Sequence, residues 1–445
     1  MTKILIIGAG RSTTSLIEYI LQKSDVYRWK VTIADLDLHL ALEKTKGYSN
    51  AMAIKFNIND YEQRRLVIQN HDLVISMLPA ALHGDVAKDC VEFGKHMATA
   101  SYVSPDIKAL NDDATKKGIL LLNECGLDPG IDHASAMKII DEIQEKGGEI
   151  HSFKSYCGGL VAPESNDNPW GYKFSWNPRN VVVAGQGTTQ FLRDGQIKFV
   201  PYSRLFKETD MIDVEGYGKF DAYPNRDSIS YIDVYGLKGI KTMIRGTLRQ
   251  FGYGKAWHVF VKLGLTDDSS KINNADQLTY TSLINSFLPS SKLTVKEKLK
   301  SLMQQEWDAD IEQMMDYLEL FSDKKIKLHE GTPAQLLQSL LEEKWKLKTG
   351  DRDMIVMQHL FEYTLPGTKE LQTLQSSLGV IGKNQDHTAM ALTVGLPLAI
   401  TVKNFLTGEF NLTGVQTPVK KEIYVPLLQE LAEKGIVFTE TESIV

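Results

Sequence analysis

From Lys3 to about Asn123, short apolar runs alternate with stretches whose apolar residues recur at helical spacing. Strands are predicted at Ile4 to Ile7, Lys30 to Ala34, Leu73 to Met77 and Ile119 to Asn123, the pattern of a parallel sheet covered by helices. Between about Gly148 and Gly264 the character changes to β-rich segments punctuated by aromatics and glycine, such as "IHSFKSYCGGL", "VVVAGQGTTQFL" and "SYIDVYGL". A second α/β domain is predicted there. From about Thr266 to Lys348 the pattern turns helical, with Thr294, Asp308 and Thr332-Pro333 each placed to open a helix. "DMIVMQHLFEYTL" then reads as a strand, and "TAMALTVGLPLAITVKNFLTG" as a mostly buried helix that Pro397 bends or breaks, in a tail packing back onto an earlier domain.

Composition narrows the class. With 445 residues, 42% hydrophobic and 24% charged, the chain has room for two or three globular domains. A net charge of −6 and a pI near 6.0 give no global attraction to nucleic acid or to an anionic membrane. Cys90, Cys125 and Cys157 are far apart and odd in number, which suggests neither a disulfide framework nor a zinc site. No segment reads as long enough for a membrane span, and the opening apolar run is too short for a signal peptide. The expected compartment is the cytoplasm, without nucleic-acid or membrane partners.

The first strand runs into "GAGRSTTS", where Gly8 and Gly10 fit a dinucleotide-binding turn and Thr13 stands at the third small position. Asp35 ends the second strand, 22 residues beyond Thr13, at the distance where an acid meets the adenosine ribose. A carboxylate about 4 Å from a 2′-phosphate is repelled by about 4 kcal/mol at an effective dielectric near 20. NAD is therefore favoured over NADP unless Asp35 turns away and Lys30 or Lys55 reaches in. The third small residue of such turns serves helix packing, so Thr13 perturbs geometry without abolishing the turn. Arg11 can reach a pyrophosphate, and Ser12, Thr13 and Thr14 sit near a helix N-terminus that favours anions.

Three further strand ends present polar groups to the crevice of such a domain: Ser76 to Pro79 including Leu78, Thr99 to Pro105 including Ala100, Ser101 and Tyr102, and "NECGLDPGIDH" with Leu127, Asp128 and Pro129. Hydride transfer needs one titratable group to move a proton, for which Asp128 and Cys157 are candidates. Arg226, Arg245 and Arg249 are candidates for clamping carboxylates. Each has a plainer reading: Ser101 as a helix cap, Asp128 as the pin of a turn, His133 as a first-turn residue, Cys157 as a small buried apolar group, Arg226 and Asp227 as a surface ion pair.

"LVISMLP", "TASYVSP", "GLDPGIDH", "YCGGLVAPES", "YKFSWNP", "YPNRDS" and "RGTLR" occur in an order that resembles the glutamate-forming saccharopine dehydrogenase family over nearly the whole chain. The resemblance implies an α/β fold: a Rossmann domain over residues 1–130 completed by 385–445, a substrate domain with a mixed sheet over 131–265 and 349–384, and an inserted helical subdomain over 266–348. It implies interconversion of saccharopine, water and oxidised cofactor with L-glutamate, 2-aminoadipate 6-semialdehyde and reduced cofactor, without a metal. Cofactor contacts carried over by likeness are Gly8, Gly10 to Thr13, Asp35, Ala100, Ser101 and Leu127 to Pro129; substrate contacts are Ser101, Tyr102, Asp128, Arg226, Thr247, Leu248 and Arg249. "ADLD" looks like the NAD-using branch, and a homodimer is expected. Two alternatives stay open: a carboxyspermidine or carboxynorspermidine dehydrogenase, disfavoured by the arginines, and a dinucleotide-binding regulatory protein that has lost catalysis.

Overall fold

The apolar runs of the first third of the chain become a seven-stranded, wholly parallel sheet. Its order is Gly414–Gln416, Leu120–Leu122, His96–Ala98, Leu73–Ser76, Lys3–Ile7, Lys30–Asp35 and Ala51–Lys55. Ile4, Leu5 and Ile6 are completely buried, as a parallel sheet covered on both faces requires. The strand order reverses between Lys3–Ile7 and Leu73–Ser76, which opens a crevice beyond their carboxyl ends.

This computed structural model describes residues 1–444 and divides the chain into two units: residues 1–148 with 382–437, and residues 149–381 with Phe438 onward. The division differs from the expected boundaries in three places, the third being the helical segment described below. Helix Ile131–Glu145 belongs with the first unit, because it packs on helix Lys421–Glu433, where the Tyr424 hydroxyl bonds the Asp141 carboxylate. The tail completes the parallel sheet only as far as residue 437, because strand Thr439–Ile444 pairs antiparallel with Gln372–Ile381 of the second unit.

The tail's apolar helix, Ala389–Leu406, runs unbroken through Pro397. Against expectation, one segment does reach the length and hydropathy of a membrane span; it is this helix, and 72% of it is buried. It packs on helix Thr14–Tyr27 and the turn before it. Gly395 permits that approach, since a Cβ there would stand 2.9 Å from the Leu16 backbone nitrogen.

The second unit carries a nine-stranded mixed sheet, in which only Thr242–Gln250 beside Glu149–Val161 is parallel. Helices Val295–Met303, Ala309–Tyr317 and Pro333–Lys344 open at the expected caps Thr294, Asp308 and Thr332. They share one buried core with the sheet, around Trp170, Trp257 and Trp345, so the helical segment is part of this unit. Two β readings fail locally. "VVV" falls partly in helix Pro178–Val182, opened by an Asn177 cap and proline at its first position; "SYIDVYGL" holds helix Tyr231–Val234, reached through a turn in which Asp227 accepts from the Ile229 and Ser230 N–H groups.

Candidate active site

In the first unit the turn after Lys3–Ile7 is set by Gly8, whose φ of +108° and 2.9 Å Cβ approach to the Met77 carbonyl exclude a side chain. Gly10 has no such constraint: its φ is −67°, and a Cβ there would meet nothing within 4 Å. Gly10 is exposed and the space at its Cα is open, so the turn has room for a pyrophosphate. Arg11 is exposed beside it. Thr13 spends both its N–H and its hydroxyl on the Gly10 carbonyl (3.1 and 2.7 Å), and the Thr14 hydroxyl donates to the Arg11 carbonyl at 3.2 Å. What Thr13 offers a bound phosphate is therefore the shape of the turn.

Asp35 does not turn away. Its Oδ2 accepts from the Ala9 N–H at 2.7 Å and its Oδ1 from the Asp37 N–H at 2.9 Å, which fixes the carboxylate at the strand end. Of the two lysines considered beside it, Lys30 opens the strand that Asp35 closes, at its opposite end. Lys55 is the register partner of Asp35 on the next strand and is exposed.

The other strand ends converge through a histidine that the sequence pattern did not single out. His83 is 2% exposed, with Nδ1 2.9 Å from the Ser76 hydroxyl and Nε2 2.8 Å from the Ser101 hydroxyl. Ser101 is thus no helix cap; Ser104 caps the following helix, Pro105–Lys108. Burial pushes the His83 pKa down to about 4, so the ring is neutral at pH 7. Unfolding exposes a histidine that takes up a proton near pH 6.5, so the contribution of His83 is complete above that pH and is lost as pH falls towards 4. Between pH 7 and pH 5 the protein is expected to lose about 2 kcal/mol more unfolding free energy than a His83→Asn variant. Urea denaturation at the two pH values checks this, and equal losses would refute it.

Tyr102 and Asp128 stand on neighbouring loops, and the Tyr102 hydroxyl donates to Asp128 Oδ1 at 3.2 Å. Asp128 is half-buried and joined to Pro129 by a cis peptide bond. The following turn is pinned by Asp132, whose Oδ1 accepts from the Gly130 N–H at 2.6 Å. Leu127 and Leu78 are buried and half-buried beside these strand ends, and Ala100 is half-buried.

In the second unit, Cys157 and Thr247 are register partners on adjacent parallel strands, and Tyr223 pairs with Thr247 from the other side. Leu248 is wholly buried, its carbonyl accepting from Arg249 Nη1 at 3.0 Å. The Arg249 guanidinium lies 5.2 to 5.9 Å from the ring centroids of Tyr172, Tyr223 and Tyr253, and among the described residues no carboxylate pairs with it. Arg245 is equally buried, stacked 4.0 Å from the Tyr231 ring. Arg226 is exposed and makes no ion pair with Asp227, whose Oδ1 accepts from Gln190 and from the Ile229 and Ser230 N–H groups. Among the described residues there is no His, Cys, Asp and Glu cluster able to hold a metal.

Residues 4–122 match the family model of the saccharopine dehydrogenase NADP binding domain, and residues 126–436 that of the saccharopine dehydrogenase C-terminal domain. The saccharopine dehydrogenase (NADP+, L-glutamate-forming) of Schizosaccharomyces pombe is 34% identical, over 98% of this chain and 98% of its own length. The mitochondrial alpha-aminoadipic semialdehyde synthase of Mus musculus is 35% identical over 99% of this chain and 48% of its own length. The apo saccharopine dehydrogenase (L-Glu forming) of Saccharomyces cerevisiae superposes with a TM-score of 0.88 at 34% identity, covering 100% of both chains.

Proposed function

The chain belongs to the saccharopine dehydrogenase family, and we propose that it interconverts saccharopine with L-glutamate and 2-aminoadipate 6-semialdehyde. The observation that carries this is full-length likeness to glutamate-forming relatives, in chain and in fold. It is an oxidoreductase of lysine metabolism acting on a CH–NH donor. Neither the polyamine-type alternative nor the catalytically silent one is favoured. The compartment is proposed to be the cytoplasm.

The cofactor supported by the family model and by the relatives' names is NADP; NAD is the alternative that Asp35 admits. Residues that would hold the dinucleotide are Gly8, Gly10, Arg11 and Ser12 at the turn, Asp35 at the ribose, and Leu78, Ala100, Ser101 and Leu127 to Pro129 at the strand ends. Lys55, the register partner of Asp35, is the cation proposed to meet a 2′-phosphate. Asp35→Ser is expected to tighten NADP by about tenfold relative to NAD, because a charge repulsion is removed. Quenching of tryptophan fluorescence on titration with each nucleotide reads this without turnover.

When bound, the nicotinamide takes up or returns the hydride. The chain's residues do the rest. The secondary amine of saccharopine must be neutral before its lone pair can expel hydride, and Asp128 is the proposed base that takes the proton. Water then adds to the imine, and the carbinolamine collapses once the departing amine is protonated. The same carboxyl returns that proton, with the Tyr102 hydroxyl orienting it and Cys157 as proposed relay partner. Arg226 and Arg249 are proposed to meet substrate carboxylates, since each guanidinium lacks a carboxylate of its own. Steady-state reduction of NADP and of NAD with saccharopine tests the function; reduction of neither would end it.

A further inference from the structure

The hydrogen bond between Tyr102 and Asp128 joins two loops, so its geometry depends on what holds those loops in register. Both are held at Glu124. Its backbone N–H donates to the Ser101 carbonyl at 3.0 Å and its Oε1 accepts from the Val103 N–H at 2.9 Å, so one residue grips the chain on both sides of Tyr102. Its Oε2 lies 2.8 Å from His133 Nε2. His133 is in the first turn of helix Ile131–Glu145, which starts directly after Asp128, Pro129 and Gly130. On the other side of the ring, Asp132 Oδ2 stands 3.7 Å from His133 Nδ1, while its Oδ1 holds the Gly130 N–H.

Three observations mark this arrangement as more than packing. Glu124, Asp132 and His133 are 5%, 1% and 0% exposed, and a buried ionisable pair is a poor way to add stability. Glu124 is held at a φ of 58°, a left-handed conformation that persists in a non-glycine residue only where the surroundings over-determine it. Its two carboxylate oxygens are divided between the loop that carries Tyr102 and the helix that starts directly after the Asp128 turn.

We infer that Glu124 and His133 are a positioning pair, which fixes Tyr102 against Asp128 and so sets the aim of the carboxyl group that moves the proton. This deepens the reading of Asp128 as the base and rests on it. The pair touches neither reacting atom; it acts through the two loops. Displacements of an ångström at such a contact cost rate rather than ground-state binding.

The test uses the full chain labelled with 3-fluorotyrosine, the Tyr102 resonance being assigned by its loss in Tyr102→Phe. Glu124→Ala is expected to lower kcat about tenfold, with nucleotide affinity by fluorescence within about twofold of wild type, and to shift or broaden the Tyr102 resonance. Glu124→Gln, which can still bond Val103 and His133, should restore both readouts to near wild type. If Glu124→Ala does not fold, His133→Asn, which removes the tether to the helix, is expected to change kcat and the Tyr102 resonance in the same direction. A folded variant of either kind with unaltered kcat and an unaltered resonance overturns the pair. Failure of the wild-type chain to turn over saccharopine would instead remove the reading of Asp128, and the resonance would still report whether the loops are held.

Discussion

Asp128→Ala is expected to lower kcat for saccharopine oxidation by about 10²- to 10⁴-fold, the usual contribution of a positioned acid or base. Cofactor affinity should fall far less than kcat. The reasoning is geometric. Asp128 is half-buried, accepts a hydrogen bond from Tyr102 at 3.2 Å, and stands on a loop pinned by Asp132. Tyr102→Phe keeps the carboxyl and loses only its orienting partner, so its loss should be smaller. Steady-state rates over a pH series are the measurement. An Asp128→Ala enzyme that retained full turnover, or lost rate no further than Tyr102→Phe, would remove Asp128 from its role.

Arg226→Ala is expected to raise the KM for saccharopine by about two orders of magnitude, within the 2–5 kcal/mol that loss of one partner from a hydrogen-bonded charge pair costs. The affinity for the nucleotide should be unchanged. The expectation follows from the exposure of Arg226 and from its neighbour: Asp227 Oδ1 faces Gln190 and the Ile229 and Ser230 N–H groups and makes no ion pair with Arg226. Lysine at this position should recover part of the loss, since it keeps the charge but not the planar fork. Equal weakening of substrate and nucleotide would contradict the assignment.

What was legible in the sequence was what is local. The apolar strands, the capped helices at Thr294, Asp308 and Thr332, and the glycine turn with Asp35 at its proper distance each depend on residues a few positions apart or on one repeated spacing. Fold class and family followed from these and from seven ordered motifs. Three kinds of feature were not legible. "VVV" and "SYIDVYGL" carry apolar, β-branched residues, but Asn177-Pro178 and the Asp227 turn start helices there. His83 and Glu124 look ordinary in sequence, because their partners Ser101, Val103 and His133 are brought to them by the fold. The surroundings of Thr13 and Arg249 were equally hidden: the Thr13 hydroxyl closes its own turn on the Gly10 carbonyl, and the Arg249 guanidinium lies among three tyrosine rings contributed by distant segments.

The interleaving of the two units has a consequence for synthesis on the ribosome. Helix Thr14–Tyr27 emerges early with Leu16, Ile17 and Ile20, all fully buried in the finished protein, on its surface. The helix that packs on it, Ala389–Leu406, and the outermost strand of its sheet, Gly414–Gln416, are encoded beyond residues 149–381, the body of the second unit. At about 5–20 residues per second, the roughly 290 residues from 148 to 437 take about 15–60 s to translate. For that interval the nascent nucleotide-binding half carries an open apolar face and an unpaired strand edge at Leu120–Leu122, while the later-encoded second unit is still being made.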